Sequence, residues 1–107
     1  ACFRAAENDK CQLMFMLDDQ DKLTGYFMGG LTIEMFSGRT IASQIGLMIL
    51  PEHTGHVYDF FDAFEAWAKR NRASRIYVHF SGASTRRTRV MRHKRFMPAE
   101  THYLKEV

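Results

Sequence analysis

Residues 43–69 read SQIGLMILPEHTGHVYDFFDAFEAWAK. The apolar run 45–50 has the length of a buried strand and stops at Pro51. The stretch Pro51-Glu52-His53-Thr54-Gly55 reads as a turn, and a helix opens behind it with almost no linker. Val57, Phe60, Phe61, Phe64, Trp67 and Ala68 follow the three, four, seven spacing of one buried helical face. Asp59, Asp62, Glu65, Lys69 and Arg70 fall away from that face. A strand feeding a helix through a Gly-containing turn leaves backbone N–H groups aimed outward at the positive end of the helix dipole. Such a place suits an anion, often a phosphate.

Working outward, residues 11–17 (CQLMFML) read as an apolar strand and 18–22 as a polar turn. A second strand covers 23–36, in which Gly25, Gly29 and Gly30 mark a bulge or a close backbone approach. A turn at 37–39 leads to a third strand over 40–50, so the first half is an antiparallel meander. The helix runs from Gly55 to Asn71. A strand over 75–80 follows, with Ile76, Val78 and Phe80 on one face. Ser84 can N-cap a short basic helix ending near Lys94, and residues 101–107 read as a closing strand. The order β-β-β-α-β-α-β predicts an α/β (α+β) layer fold: a mixed sheet with helices packed on it. One domain is expected over 1–107, with 1–10 as a lead-in.

The composition is that of an ordinary globular chain, 46% hydrophobic and 25% charged. No apolar run approaches the roughly 20 residues of a membrane span, and the start does not read as a signal peptide. Two cysteines, Cys2 and Cys11, offer neither a disulfide framework nor metal spacing, so an intracellular setting is expected. A chain opening on Ala1 reads as trimmed, with something upstream. The net charge of +3 hides an asymmetry. Arg86, Arg87, Arg89, Arg92, Lys94 and Arg95 lie within eleven residues with no acid among them, while the rest of the chain holds 9 basic against 12 acidic residues. An anionic partner is expected there.

Taken together, the strand ending in LPEHTG, the helix DFFDAFEAWAKRN, the strand SRIYVHF, the helix ending in RHKRF and the terminal THYLKEV resemble the GCN5-related N-acetyltransferase (GNAT) superfamily. The style is similar to short, diverged members carried by tailed bacteriophages. The resemblance spans roughly residues 11–107 and leaves out the first strand and first two helices usual in that family. It implies acetyl-CoA as ligand, with its pyrophosphate held by backbone amides after the fourth strand. On this sequence that assigns Leu50, Gly55, His56, Val57, Tyr58 and Ser84 to cofactor binding. Two departures stand out. Thr54 replaces a common Arg and Val57 a Gly, and each Cβ restricts close approach of backbone to phosphate. Met91 occupies the place of the Tyr that protonates the leaving thiolate, and methionine has no proton to donate.

Other constellations add little. Glu34 and Glu52 are candidate general bases, because an amine must lose a proton to attack a thioester. His53 and His56 read as turn histidines, and no metal site is expected. Arg86, Arg87, Arg89 and Arg92 spread over a wide helical arc, which suits an acidic protein surface or another polyanion better than one phosphate. Nucleic acid is less favoured, since no aromatic residue is interleaved with the arginines for base stacking. The resulting expectation is a GNAT-fold protein that is non-catalytic or weakly active and serves as a phage virion or accessory protein-binding component. The alternative is an acetyl-CoA-dependent N-acetyltransferase acting on an amine.

Overall fold

The computed structural model describes residues 2–80, 85–99 and 103–107. Eight elements follow in order: β1 (Cys2–Glu7), β2 (Cys11–Leu17), β3 (Leu23–Ile33), β4 (Thr40–Ile49), a 3₁₀ helix (Pro51–His56), α1 (Val57–Arg70), β5 (Arg75–Tyr77) and α2 (Thr85–His93). The strands form one mixed sheet in the order β1-β2-β3-β4-β5. The first four are antiparallel neighbours, and β5 joins β4 in parallel after the α1 crossover.

Every residue expected on the inner face of α1 is buried: Val57, Phe60, Phe61, Phe64, Trp67 and Ala68. They pack on Met14, Met16, Phe27 and Ala42, which alternate along three strands and point to one side of the sheet. Gly29 lets the helix come this close, because a Cβ there would overlap the Phe64 ring. Phe27 lies at the centre, its ring 4.8 Å from that of Phe64 and 6.0 Å from that of Phe60.

Two bulges shape the sheet. Met16 pairs with Gly25 and Leu17 with Leu23, so Thr24 is the extra residue; its hydroxyl donates to the Met16 carbonyl at 3.1 Å. Met28 pairs with Gly46 and Gly29 with Gln44, which leaves Ile45 extra on β4.

Several expectations change. Residues 2–7, expected as part of a lead-in, form strand β1 in full antiparallel register with β2. Its own sequence is short and alanine-rich, and what secures it is distant in the chain. The Trp67 indole N–H donates to the Asn8 carbonyl at 3.1 Å, Arg70 pairs with Glu7 at 2.8 Å, and Phe3 stands edge-on to Phe60. Residues 34–36 turn rather than extend β3, held by Glu34 N–H to the Arg39 carbonyl. The ladder of β5 stops at Tyr77 instead of reaching Phe80. The closing strand is absent from the described residues 103–107, where Tyr103 and Leu104 are exposed and no neighbour pairs with them. Its first two residues, and the Ser84 cap, lie outside the described residues. Among the described residues no helix is long and apolar enough to cross a membrane.

Truncating Phe64 or Trp67 to Ala should each cost about 3–5 kcal/mol in urea unfolding, since both are fully buried. Gly29→Ala should cost about 1–3 kcal/mol by forcing α1 off the sheet. Wild-type midpoints in these variants would contradict the packing described.

Candidate functional site

The site originates where β4 and β5 part. They pair through Ile41–Arg75, Ala42–Ile76 and Ser43–Tyr77, and then pairing ends although β4 continues to Ile49. The bulge at Ile45 lies just past that point, and a bulge bends its strand and increases its twist. The buried side chain of Gln44 spans the start of the gap: its Oε1 accepts the His79 backbone N–H at 3.1 Å. Past Gln44, no described strand pairs the outer edge of β4.

A cleft of about 490 Å³ opens on the helix side of this divergence. Leu47 and Ile49 form its floor, on the same side of β4 as the core, with Val57 and Phe80 beside them. Thr54, Gly55 and Tyr58 come from the start of the helical segment, and Arg86 and Arg87 from the first turn of α2. The Arg87 guanidinium lies 4.4 Å from the centre of the Phe80 ring, a cation–π contact that orients it. One wall is thus apolar, and two permanent cations stand at another.

The expected cradle of free amides takes another form. Residues 51–56 are not an open turn but a 3₁₀ helix continuous with α1. Pro51 opens it without an N–H, the His53 N–H goes to the Leu50 carbonyl at 2.8 Å, and the Val57 N–H goes to the Thr54 carbonyl. Helical bonding takes up donors that a loop would have aimed at a phosphate. The positive charge of the cleft comes from α2 instead.

Of the residues assigned from sequence, Gly55, Val57 and Tyr58 line the cleft. Leu50 caps the 3₁₀ helix and is not part of the lining. The His56 ring bonds to Asp59 at 3.0 Å and faces Phe3, toward β1. Glu52 is exposed in the first turn of the 3₁₀ helix, outside the lining. Glu34 follows β3 at the far end of the sheet, beyond the Ile33–Thr40 pair. Six residues of β4 lie between Thr40 and Leu47, a span of roughly 20 Å, so Glu34 is not brought to the cleft. Met91 packs against the core. His53 and His56 lie with ring centres 6.2 Å apart, and no group of metal-ligating side chains occurs among the described residues.

Sequence reasoning missed Leu47, Ile49, Thr54 and Phe80, and it assigned Arg86 and Arg87 to a broad partner-binding arc. The alternation of Leu47 with Ile49 and of Val78 with Phe80 carried a signal, because residues two apart share a face. Arg89 and Arg92 are exposed.

This architecture has close counterparts among solved structures. The fold is that of the GCN5-related N-acetyltransferases. A Trypanosoma brucei acetyltransferase superposes with a TM-score of 0.72 at 8% identity, over 92% of this chain and 70% of the other. The aminoglycoside N-acetyltransferase AAC(6')-Iy in complex with CoA gives 0.68 at 14%, over 94% and 78%. A ribosomal-protein-alanine N-acetyltransferase from Brucella melitensis gives 0.65 at 11%, over 94% and 74%. Neither a protein-family model nor a curated protein sequence matches the chain.

Gln44→Leu should leave the His79 N–H without its acceptor and destabilise the protein by about 1–3 kcal/mol. Amide hydrogen exchange at His79 should accelerate by about tenfold or more. An unchanged rate would mean that Gln44 does not hold the divergence of β4 and β5.

Proposed function

We propose that the chain is a coenzyme A-binding protein of acetyltransferase fold. Acetyl-CoA is the ligand of the cleft, and slow acetyl transfer to an amine is the most that the lining residues support. The observation that carries this reading is the pairing of an apolar floor with two guanidinium groups at the opening between β4 and β5. A CoA-type ligand has matching parts: a polyanionic end, an extended amide-containing arm and a small acyl thioester. Arg86 and Arg87 would take phosphate oxygens, for which guanidinium geometry is suited. The free edge of β4 beyond Gln44 can pair with amides of an extended arm as it would with a strand. One of the similar solved structures, AAC(6')-Iy, was determined with CoA.

Acetyl-CoA supplies the activated thioester. In the direct reaction the amine nitrogen bonds to the acyl carbon, the carbon–sulfur bond breaks, the thiolate gains a proton and the amine loses one. Tyr58 carries the one phenol in the cleft lining and would protonate the thiolate. The described lining contains no carboxylate or imidazole to accept the amine proton, which limits turnover.

Acetyl-CoA at 100 times its dissociation constant should stabilise the protein by about 2.7 kcal/mol, raising the melting midpoint by several degrees. The double variant Arg86→Ala, Arg87→Ala should lose most of that rise. Thiol release with a panel of amines then separates transfer from binding alone, and Tyr58→Phe should lower any release observed. No shift at millimolar acetyl-CoA would overturn the proposal.

A second reading is favoured by the exposed Arg89 and Arg92, which lie outside the cleft lining. It makes the chain an accessory or virion component of a phage, docked on an acidic protein surface through α2. Charge reversal at both positions should abolish a salt-sensitive complex while leaving the acetyl-CoA shift intact.

A further inference from the structure

The divergence of β4 and β5 has a second side. Ile76, Val78 and Phe80 pack against the core, so Tyr77 and His79 between them face away from it, toward the side of the sheet opposite α1. His79 is exposed, and its ring has no hydrogen-bond or ion-pair partner among the described residues. Its main chain fixes it instead: the backbone N–H donates to the buried Gln44 Oε1 at 3.1 Å. Gln44 follows the last paired residue of the β4–β5 ladder and precedes the bulge at Ile45. The imidazole therefore stands within one side chain's length of the opening. Where no described strand pairs with β4, no ladder divides the two sides of the sheet. A group seated at the opening from the helix side is reached there from the other.

We infer that His79 is the general base for the acceptor amine, which enters from the side of the sheet opposite the coenzyme. The inference rests on the acetyl-transfer reading of the cleft and supplies the proton acceptor that the lining lacks. The amine nitrogen gives a proton to the imidazole, directly or through one water, and bonds to the acyl carbon. The carbon–sulfur bond breaks, and the thiolate takes the Tyr58 proton. His79 then releases its proton to solvent and Tyr58 regains one, so thioester and amine become amide and thiol. Both side chains suit these places: Tyr58 lines the helix side of the opening, and His79 is open to solvent on the other. The remaining candidates are held elsewhere. Glu34 lies at the far end of the sheet, Glu52 stands outside the lining, and His56 is bonded to Asp59. Asp62 is taken up by Lys94.

His79→Ala is the test, because the bond to Gln44 uses the main chain and survives the substitution. The melting shift with acetyl-CoA should match that of the wild type. Thiol release with benzylamine should fall about a hundredfold, in kcat rather than in KM for acetyl-CoA. Two further readouts separate a base from a structural residue. Added imidazole should raise the rate of the variant about tenfold or more, and leave the wild type unchanged. Methoxyamine, which is unprotonated at neutral pH, should be acetylated by the variant within about threefold of the wild-type rate. An undiminished rate with benzylamine, an equal loss with both amines, or no response to imidazole would each overturn the inference. If the wild type binds acetyl-CoA but releases no thiol with either amine, the inference falls while the coenzyme reading stands. If acetyl-CoA gives no melting shift, both fall.

Discussion

The contact between the Phe64 ring and the bare backbone of Gly29 sets how near α1 lies to the sheet, and much else depends on that distance. With the helix axis fixed there, Phe60, Phe61 and Trp67 reach their own places in the core around Phe27, each fully buried. Aromatic side chains dominate this core, so stability rests on a few large contacts rather than on many small ones. The same placement carries the start of α1 over the end of β4, which makes one wall of the cleft.

The cleft is a product of sheet irregularity. A regular parallel pairing of β4 with β5 would have filled the space with a ladder. The extra residue at Ile45 turns β4 away, and the Gln44 side chain accepts one hydrogen bond that the ladder would have provided. The opening is thus bordered by satisfied groups on one side and an unpaired strand edge on the other. That combination leaves backbone available to a ligand without leaving a buried polar group stranded.

Sequence and structure agree where local pattern and tertiary need coincide. The inner face of α1 was legible residue by residue, because a strong 3.6-residue periodicity has one explanation. The strands β2 to β4 were legible for the same kind of reason, their ends shifting by a few residues. The strand β1 was not, since its residues have little intrinsic preference and are held by Trp67 and Arg70 from across the chain. The 3₁₀ helix was missed because Pro51 and Gly55 are equally common in open turns, and only the run into α1 decides between them. Within the cleft, Gly55, Val57 and Tyr58 were reached through the family resemblance, as backbone ligands of a pyrophosphate. That Arg87 turns inward was not, because it depends on where Phe80 lies once β5 has left the ladder.

The hydrogen bond from Trp67 to the Asn8 carbonyl gives this protein a built-in optical reporter. The chain has a single tryptophan, and its indole bridges 59 residues of sequence between the main helix and the end of the first strand. Indole emission depends on burial and on the partner of its N–H. The fluorescence of the whole molecule therefore registers whether the first hairpin is seated on the helix. Separation of that hairpin from an otherwise intact core would be seen in emission before it was seen in helical dichroism. Seating of the first hairpin on the main helix can thus be followed without any label.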